Sequence, residues 1–271
     1  MLRPTRLLLP VLLLLAIVFG VRHLLQPGLA APDWIAAEVN GMAYDVRLPA
    51  APVPGRRYPV VLYLHQLAMG TDRATLHTQI DPWFDSAAFA RHPAIVVVPR
   101  LDQSHDPGGR LVNFGGKRTG GADEVNAIDA LRAVVTRFPA DLTRIYVTGN
   151  SMGGMGTWDM MLSYNAWTGT RGRIFAAGLP LAGAHRTADP DDAAARLRGV
   201  PIWAIHGARD PEVSLDWDRA MAKRLQGQPN FRYTEDPALA HDVWDTWYRR
   251  PEVWDWLFAQ RAPAPAHFPS G

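Results

Sequence analysis

The sequence predicts an α/β domain: a mostly parallel sheet flanked by helices on both faces. Short apolar runs alternate along the chain with longer amphipathic segments, the pattern of repeated strand–helix units. Two of the runs, Val60-Val61-Leu62 and Ile95-Val96-Val97-Val98, are unbroken, as strands buried on both faces require. Behind a leader, roughly 240 residues remain, enough for one core but not comfortably for two catalytic domains.

In chain order, strands are predicted at 42–48, 58–65, 94–99, 144–148, 175–181, 201–206 and 231–235. Pro59 falls at the start of the second, where a missing N–H removes no interior ladder bond. Helices are predicted over 123–138, where Val125, Ile128, Leu131, Val134 and Val135 have helical spacing and Pro139 ends the run, and over 154–161, 214–225 and 251–260. No repeat or further boundary interrupts residues 31–261, and the Pro/Ala-rich tail, 262–271, is expected to fray. Residues 107–121 hold six glycines and read either as a mobile surface loop or as a cover over a site. They form no phosphate-binding loop, because Leu111 and Arg118 occupy the Gly and Ser/Thr places.

Residues 1–30 read as an export leader. Arg3 and Arg6 precede an apolar run of fifteen residues, and Gly28 and Ala30 give the small-x-small pattern of a cleavage site. Two forms are open: a signal cut after Ala30, or an uncleaved membrane anchor with Arg22 and His23 snorkelling. Either places the domain outside the cytoplasm, periplasmic, secreted or anchored. The leader also explains the charge. Of 28 Lys+Arg against 26 Asp+Glu, three arginines and no acid lie before Ala31, leaving 25 bases to 26 acids. The domain has no net basic charge, so nucleic acid is not an expected partner. With no cysteine, disulfides, thiolate metal sites and cysteine nucleophiles are excluded.

The chemical signal is Gly149-Asn150-Ser151-Met152-Gly153, a G-x-S-x-G lying between a strand and a helix. Turning that sharply strains the central residue, and glycines two places either side remove side chains that would collide. Ser151 would sit at a helix N-terminus, with the Met152 N–H as one oxyanion donor. A serine needs a base oriented by an acid, and in this class the order is Ser, acid, His. Asp210, just past the strand at 201–206, is the acid by position, with Glu212 and Asp216 as alternatives. A turn-forming role before Pro211 is the other reading of Asp210. His241 is the base, being the only histidine between Asp210 and the tail. His206 reads as a packing or locally hydrogen-bonded residue. The second oxyanion donor is expected from the loop after residue 65, at the Leu67 N–H with Gln66 next, and His65 reads as a brace for that loop.

These segments resemble the α/β-hydrolase serine hydrolases. More narrowly, they are similar to bacterial exported esterases and peptidases related to phospholipase/carboxylesterases, polyhydroxybutyrate-depolymerase-like esterases and the prolyl oligopeptidase catalytic domain. The likeness spans most of residues 38–260. It rests on Tyr58-Pro59-Val60-Val61-Leu62-Tyr63-Leu64-His65, on Ile145 through the elbow to Gly154, on the run from Pro201 to Asp210, and on His241-Asp242-Val243-Trp244 with the closing helix. It implies an α/β-hydrolase fold with Ser151 as nucleophile, Asp210 as acid and His241 as base. Two positions depart from the pattern: Gln66 stands where such families usually carry Gly, and Ala240 where Gly commonly precedes the histidine.

The expected activity is hydrolysis of small-molecule or polymer carboxylic esters through an acyl-enzyme. The alternatives are a prolyl-oligopeptidase-type serine peptidase and a non-catalytic binding protein on the same fold. No metal or other cofactor is expected: there is no H-E-x-x-H, and the histidines are dispersed. Trp158, Trp244 and Trp247 read either as core or as an aromatic platform for substrate.

Overall fold

The computed structural model describes residues 34–67, 72–101, 114, 122–169, 171–185 and 189–269. The leader and most of the glycine-rich loop therefore lie outside the described residues. Within them no helix is long and apolar enough to cross a membrane.

The strands are β1 (Ile35–Val39), β2 (Met42–Arg47), β3 (Tyr58–Leu64), β4 (Ile95–Pro99), β5 (Ala140–Asn150), β6 (Ala177–Leu181), β7 (Ile202–Gly207) and β8 (Phe231–Asp236). They form one sheet in the order β1-β2-β4-β3-β5-β6-β7-β8. β1 and β2 are antiparallel additions, and every pairing from β4 to β8 is parallel. The helices are α1 (Arg73–Phe84), α2 (Ala87–Ala90), α3 (Ala122–Arg137), α4 (Met152–Tyr164), α5 (Pro190–Arg196), α6 (Asp216–Arg224), α7 (Trp244–Trp247) and α8 (Pro251–Ala259).

The unbroken apolar strands divide between two cores by the period-two rule. Val60, Leu62, Leu64, Val97, Ile145 and Val147 face one core with α3, α4 and α6. Val61, Tyr63, Val96, Val98 and Tyr146 face the other, with α1, α2, α7 and α8. That second core is rich in aromatics: the Tyr248 and Trp254 rings stack at 5.4 Å, and Trp83 lies 5.1 Å from Tyr248. The fold is the α/β-hydrolase fold, with a mostly parallel sheet between two helical layers.

Several elements differ from the sequence expectation. β1 was not predicted, although Asn40-Gly41 closes its hairpin to β2 with φ of 50° and 78°, the left-handed pair a tight turn demands. β5 starts four residues early, and its pairing with β3 shifts register between Tyr58 and Val60, across Pro59. The tail departs most. Rather than fraying, its described part is tied down by the Ala262 N–H to the Thr143 carbonyl, Ala266 N–H to Leu142, and a reciprocal pair between His267 and Arg173. Four satisfied backbone groups outweigh what composition predicted.

Candidate active site

Ser151 occupies the turn between β5 and α4 with φ 54° and ψ −117°, a conformation L-residues adopt only under constraint. Its N–H is held by the Leu181 carbonyl at 3.0 Å, and its own carbonyl accepts the Met155 N–H at 2.9 Å. The flanking glycines are needed for contact as much as for bending. A Cβ at Gly149 would lie 2.5 Å from the Leu64 carbonyl oxygen, and one at Gly153 would lie 1.8 Å from the same atom. The elbow is thus seated directly on the end of β3.

Asp210 follows β7. Its Oδ1 accepts the N–H groups of Glu212 (2.8 Å) and Val213 (3.0 Å), and its Oδ2 accepts His241 Nδ1–H at 2.7 Å. The two readings of Asp210 therefore coexist: one oxygen forms the turn and the other faces the histidine. Burial pushes the carboxyl up, but the bonds from His241 and from the two N–H groups outweigh it and hold the pKa below the ordinary value. An ionised Asp210 only accepts, so Nδ1 of His241 carries the ring proton. Nε2 then presents a lone pair to the Ser151 hydroxyl, 2.9 Å away.

The loop bearing His241 is held against the acid turn. Ala208 N–H bonds the Asp236 carbonyl (2.8 Å) and Arg209 N–H the Leu239 carbonyl (3.1 Å). A Cβ on Gly207 would come within 2.0 Å of the Ala240 carbonyl oxygen. Trp244 stands edge-on to the His241 ring at 5.1 Å.

On the other side of Ser151, His65 is buried, and burial lowers its pKa to about 4. Its Nε2 accepts the Leu101 N–H at 3.0 Å, so Nδ1 is the donor, bonding the Gln66 carbonyl at 2.7 Å. That carbonyl shares a trans peptide with the Leu67 N–H, which points the opposite way. The Gln66 side chain is fixed as well: its Oε1 accepts Asn150 Nδ2–H at 2.6 Å, and Asn150 Oδ1 accepts the Tyr63 hydroxyl at 2.5 Å. Phe114 packs edge-on against His65 at 4.9 Å. Met152 is the first residue of α4, where an N–H has no helical acceptor. Beside Ser151 opens a cleft of about 500 Å³ lined by Ser151, His241, Leu67, Trp244, Glu212 and Asp242 among others.

Ser151, Asp210 and His241 therefore meet in one hydrogen-bonded line, and Gln66 and Leu67 border the same cleft. Of the alternative acids, exposed Glu212 approaches His241 Nε2 only to 3.8 Å, and Asp216 opens α6 in an exposed position. Trp158 and Trp247 are core residues, whereas Trp244 is buried yet lines the cleft. The sequence reading did not connect His206 to the acid. His206 Nε2 lies 3.0 Å from Asp210 Oδ2 and its Nδ1 lies 2.8 Å from Asp218 Oδ2, a link signalled only by the His206/Asp210 spacing of four.

No protein-family model matches the chain, and no curated protein matches it. Solved structures do. A thermostable esterase superposes with a TM-score of 0.66 at 23% identity over 84% of this chain, which spans only 63% of that protein's length. An S-formylglutathione hydrolase from Staphylococcus aureus gives 0.60 at 18% identity, covering 83% of this chain and 96% of the other. A ferulic acid esterase from the anaerobic fungus Anaeromyces mucronatus gives 0.55 at 19% identity, covering 87% and 92%. At these identities the likeness is one of fold.

Proposed function

We propose that this protein is an exported serine hydrolase that cleaves carboxylic esters through a Ser151–His241–Asp210 triad. The observation that carries the reading is the unbroken line from Ser151 Oγ to His241 Nε2 and from His241 Nδ1 to Asp210 Oδ2, set on a strained strand-to-helix elbow. Ser151 Oγ bonds to the ester carbonyl carbon as its proton passes to Nε2 of His241. The N–H groups of Met152 and Leu67 stabilise the oxyanion, and imidazolium formation is favoured by the Asp210 carboxylate. His241 then gives the proton to the departing alkoxide, leaving an acyl-serine that water hydrolyses by the same route. Hydrolases among the structural neighbours support the class, the ferulic acid esterase and thermostable esterase most directly.

Among the described residues that line the cleft, Glu212 and Asp242 are carboxylates and none is Lys or Arg. This favours esters of uncharged or cationic alcohols over anionic ones. Export rests on the leader, and fractionation of the full-length chain tests it: the domain is expected outside the cytoplasm. The activity is tested by a fluorophosphonate probe, expected to label the parent and not Ser151→Ala. A panel of p-nitrophenyl, feruloyl and peptide substrates then separates esterase from peptidase. A folded parent that takes no label would turn the reading to a binding protein.

A further inference from the structure

Resting on that reading, we propose that His206 is a positioning residue for the reaction: its Nε2–H holds Asp210 Oδ2 from behind, and Asp218 and Trp158 anchor it to the nucleophile helix. His206 and Asp218 are buried, and Asp218 Oδ1 accepts the Trp158 Nε1–H at 3.0 Å. Trp158 lies on α4, about two helical turns beyond Ser151. The bonds thus close a ring: Ser151, His241, Asp210, His206, Asp218, Trp158, and back along α4 to Ser151.

The protons in this ring are fixed by its acceptors. His206 Nε2 faces Asp210 Oδ2 and, at 3.2 Å, the Val213 carbonyl, neither of which donates, so Nε2 carries hydrogen. On the other side one proton bridges Nδ1 and Asp218, whichever atom holds it. Burial opposes charge on His206, but Asp218 first and then Asp210 hold its proton above the ordinary range. A further charged neighbour among the described residues is Glu235, opposite His206 on β8, which is paired with Arg219 and accepts the Tyr233 hydroxyl.

Asp210 then has four donors for its roughly four acceptor directions: His206, His241, and the N–H groups of Glu212 and Val213. The last two grip Oδ1 alone and leave the carboxylate a pivot. His206 is the group that stops Oδ2 swinging away from His241. It does so by taking part of the charge that would otherwise serve His241, so it trades basicity for alignment.

Two substitutions separate alignment from mere packing. His206→Asn keeps a polar group towards Asp218 but ends short of Asp210, whereas His206→Gln can place an amide N–H where Nε2 stands. With active sites counted by fluorophosphonate, His206→Asn is expected to lose about 10- to 100-fold in kcat with KM within about twofold. The acid limb of its kcat/KM profile should move up by about half a pH unit or more, and His206→Gln should recover most of both. Parental kcat per titrated site with an unmoved acid limb would overturn the proposal, even if stability fell. The parent protein gives a second test that needs no variant. The downfield proton resonances of His241 and His206 are both expected to shift when Ser151 is phosphonylated. Labelling without a His206 shift refutes this inference, and failure to label refutes the hydrolase reading instead.

Discussion

Gly207→Ala tests whether the site depends on the seam between the acid turn and the histidine loop. The new Cβ would stand 2.0 Å from the Ala240 carbonyl oxygen and 2.7 Å from that of Leu239, where ordinary contact begins at 3.4 Å. The neighbour is backbone, so the loop must retreat by about 1.4 Å, and Ala240 carries His241 as its next residue. A displacement of about 1 Å in a catalytic group costs on the order of a hundredfold in rate. The expected result is therefore about a 100-fold fall in kcat on a p-nitrophenyl ester, with slower fluorophosphonate labelling of Ser151. Stability should fall by about 1–3 kcal/mol from overpacking, read by urea unfolding. A variant that folds and keeps kcat within about threefold of the parent would refute the claim that this contact positions the base.

Leu67→Pro removes the proposed second oxyanion donor and should lower kcat by about 10²- to 10³-fold in a protein whose circular dichroism is unchanged; unaltered kcat would exclude that N–H. Two buried groups should give pH dependences of opposite sign. His65 binds a proton with a pKa of about 4 when folded and 6.5 ordinarily, so its contribution is complete above pH 6.5 and falls by about 3 kcal/mol as the pH drops through 4. Glu124, which burial raises to about 7 against Arg171's opposing charge, is stabilising when protonated and loses up to about 3 kcal/mol as the pH rises from 4.5 through 7. Glu124→Gln should therefore be more stable than the parent at pH 8 and expose the steeper acid loss of His65 between pH 6.5 and 4.5. Urea midpoints at three pH values check this, and parallel curves for variant and parent would contradict it.

The sheet was legible where strands are buried on both faces, because continuous apolar runs in β3, β4 and β7 leave little else for the chain to do. It was illegible at β1, an alanine-containing edge strand whose best clue was its Asn40-Gly41 turn. Helix α1 was obscured by Pro82, although Leu76, Ile80, Trp83 and Phe84 carry a helical spacing and Asp72 caps it. At the site, a local backbone problem could be read from local residues: the elbow needs its glycines within two positions of Ser151. The brace from His65 could also be read, being bonded to the next residue's carbonyl, whereas the clamp from His206 could not, since its bond to Asp218 reaches a partner whose placement depends on the packing of α6 against the sheet. Gln66, a departure from the resembled pattern, is accommodated by Asn150, the residue just before Ser151.

The sheet order divides the proposed machinery unequally. β5, which presents Ser151, lies in the interior of the sheet between β3 and β6, whereas the segment carrying His241 follows β8, which among the described residues is the edge strand, paired with β7 and partly exposed along its length. Local opening of proteins starts at such edges, well below the free energy of global unfolding. Ser151 is therefore expected to be held by a later-melting part of the sheet than the β8 edge from which the His241 segment follows. Under rising denaturant, ester turnover should therefore fall before global unfolding, while the apolar interior around β3 and β5 is still protected from amide hydrogen exchange.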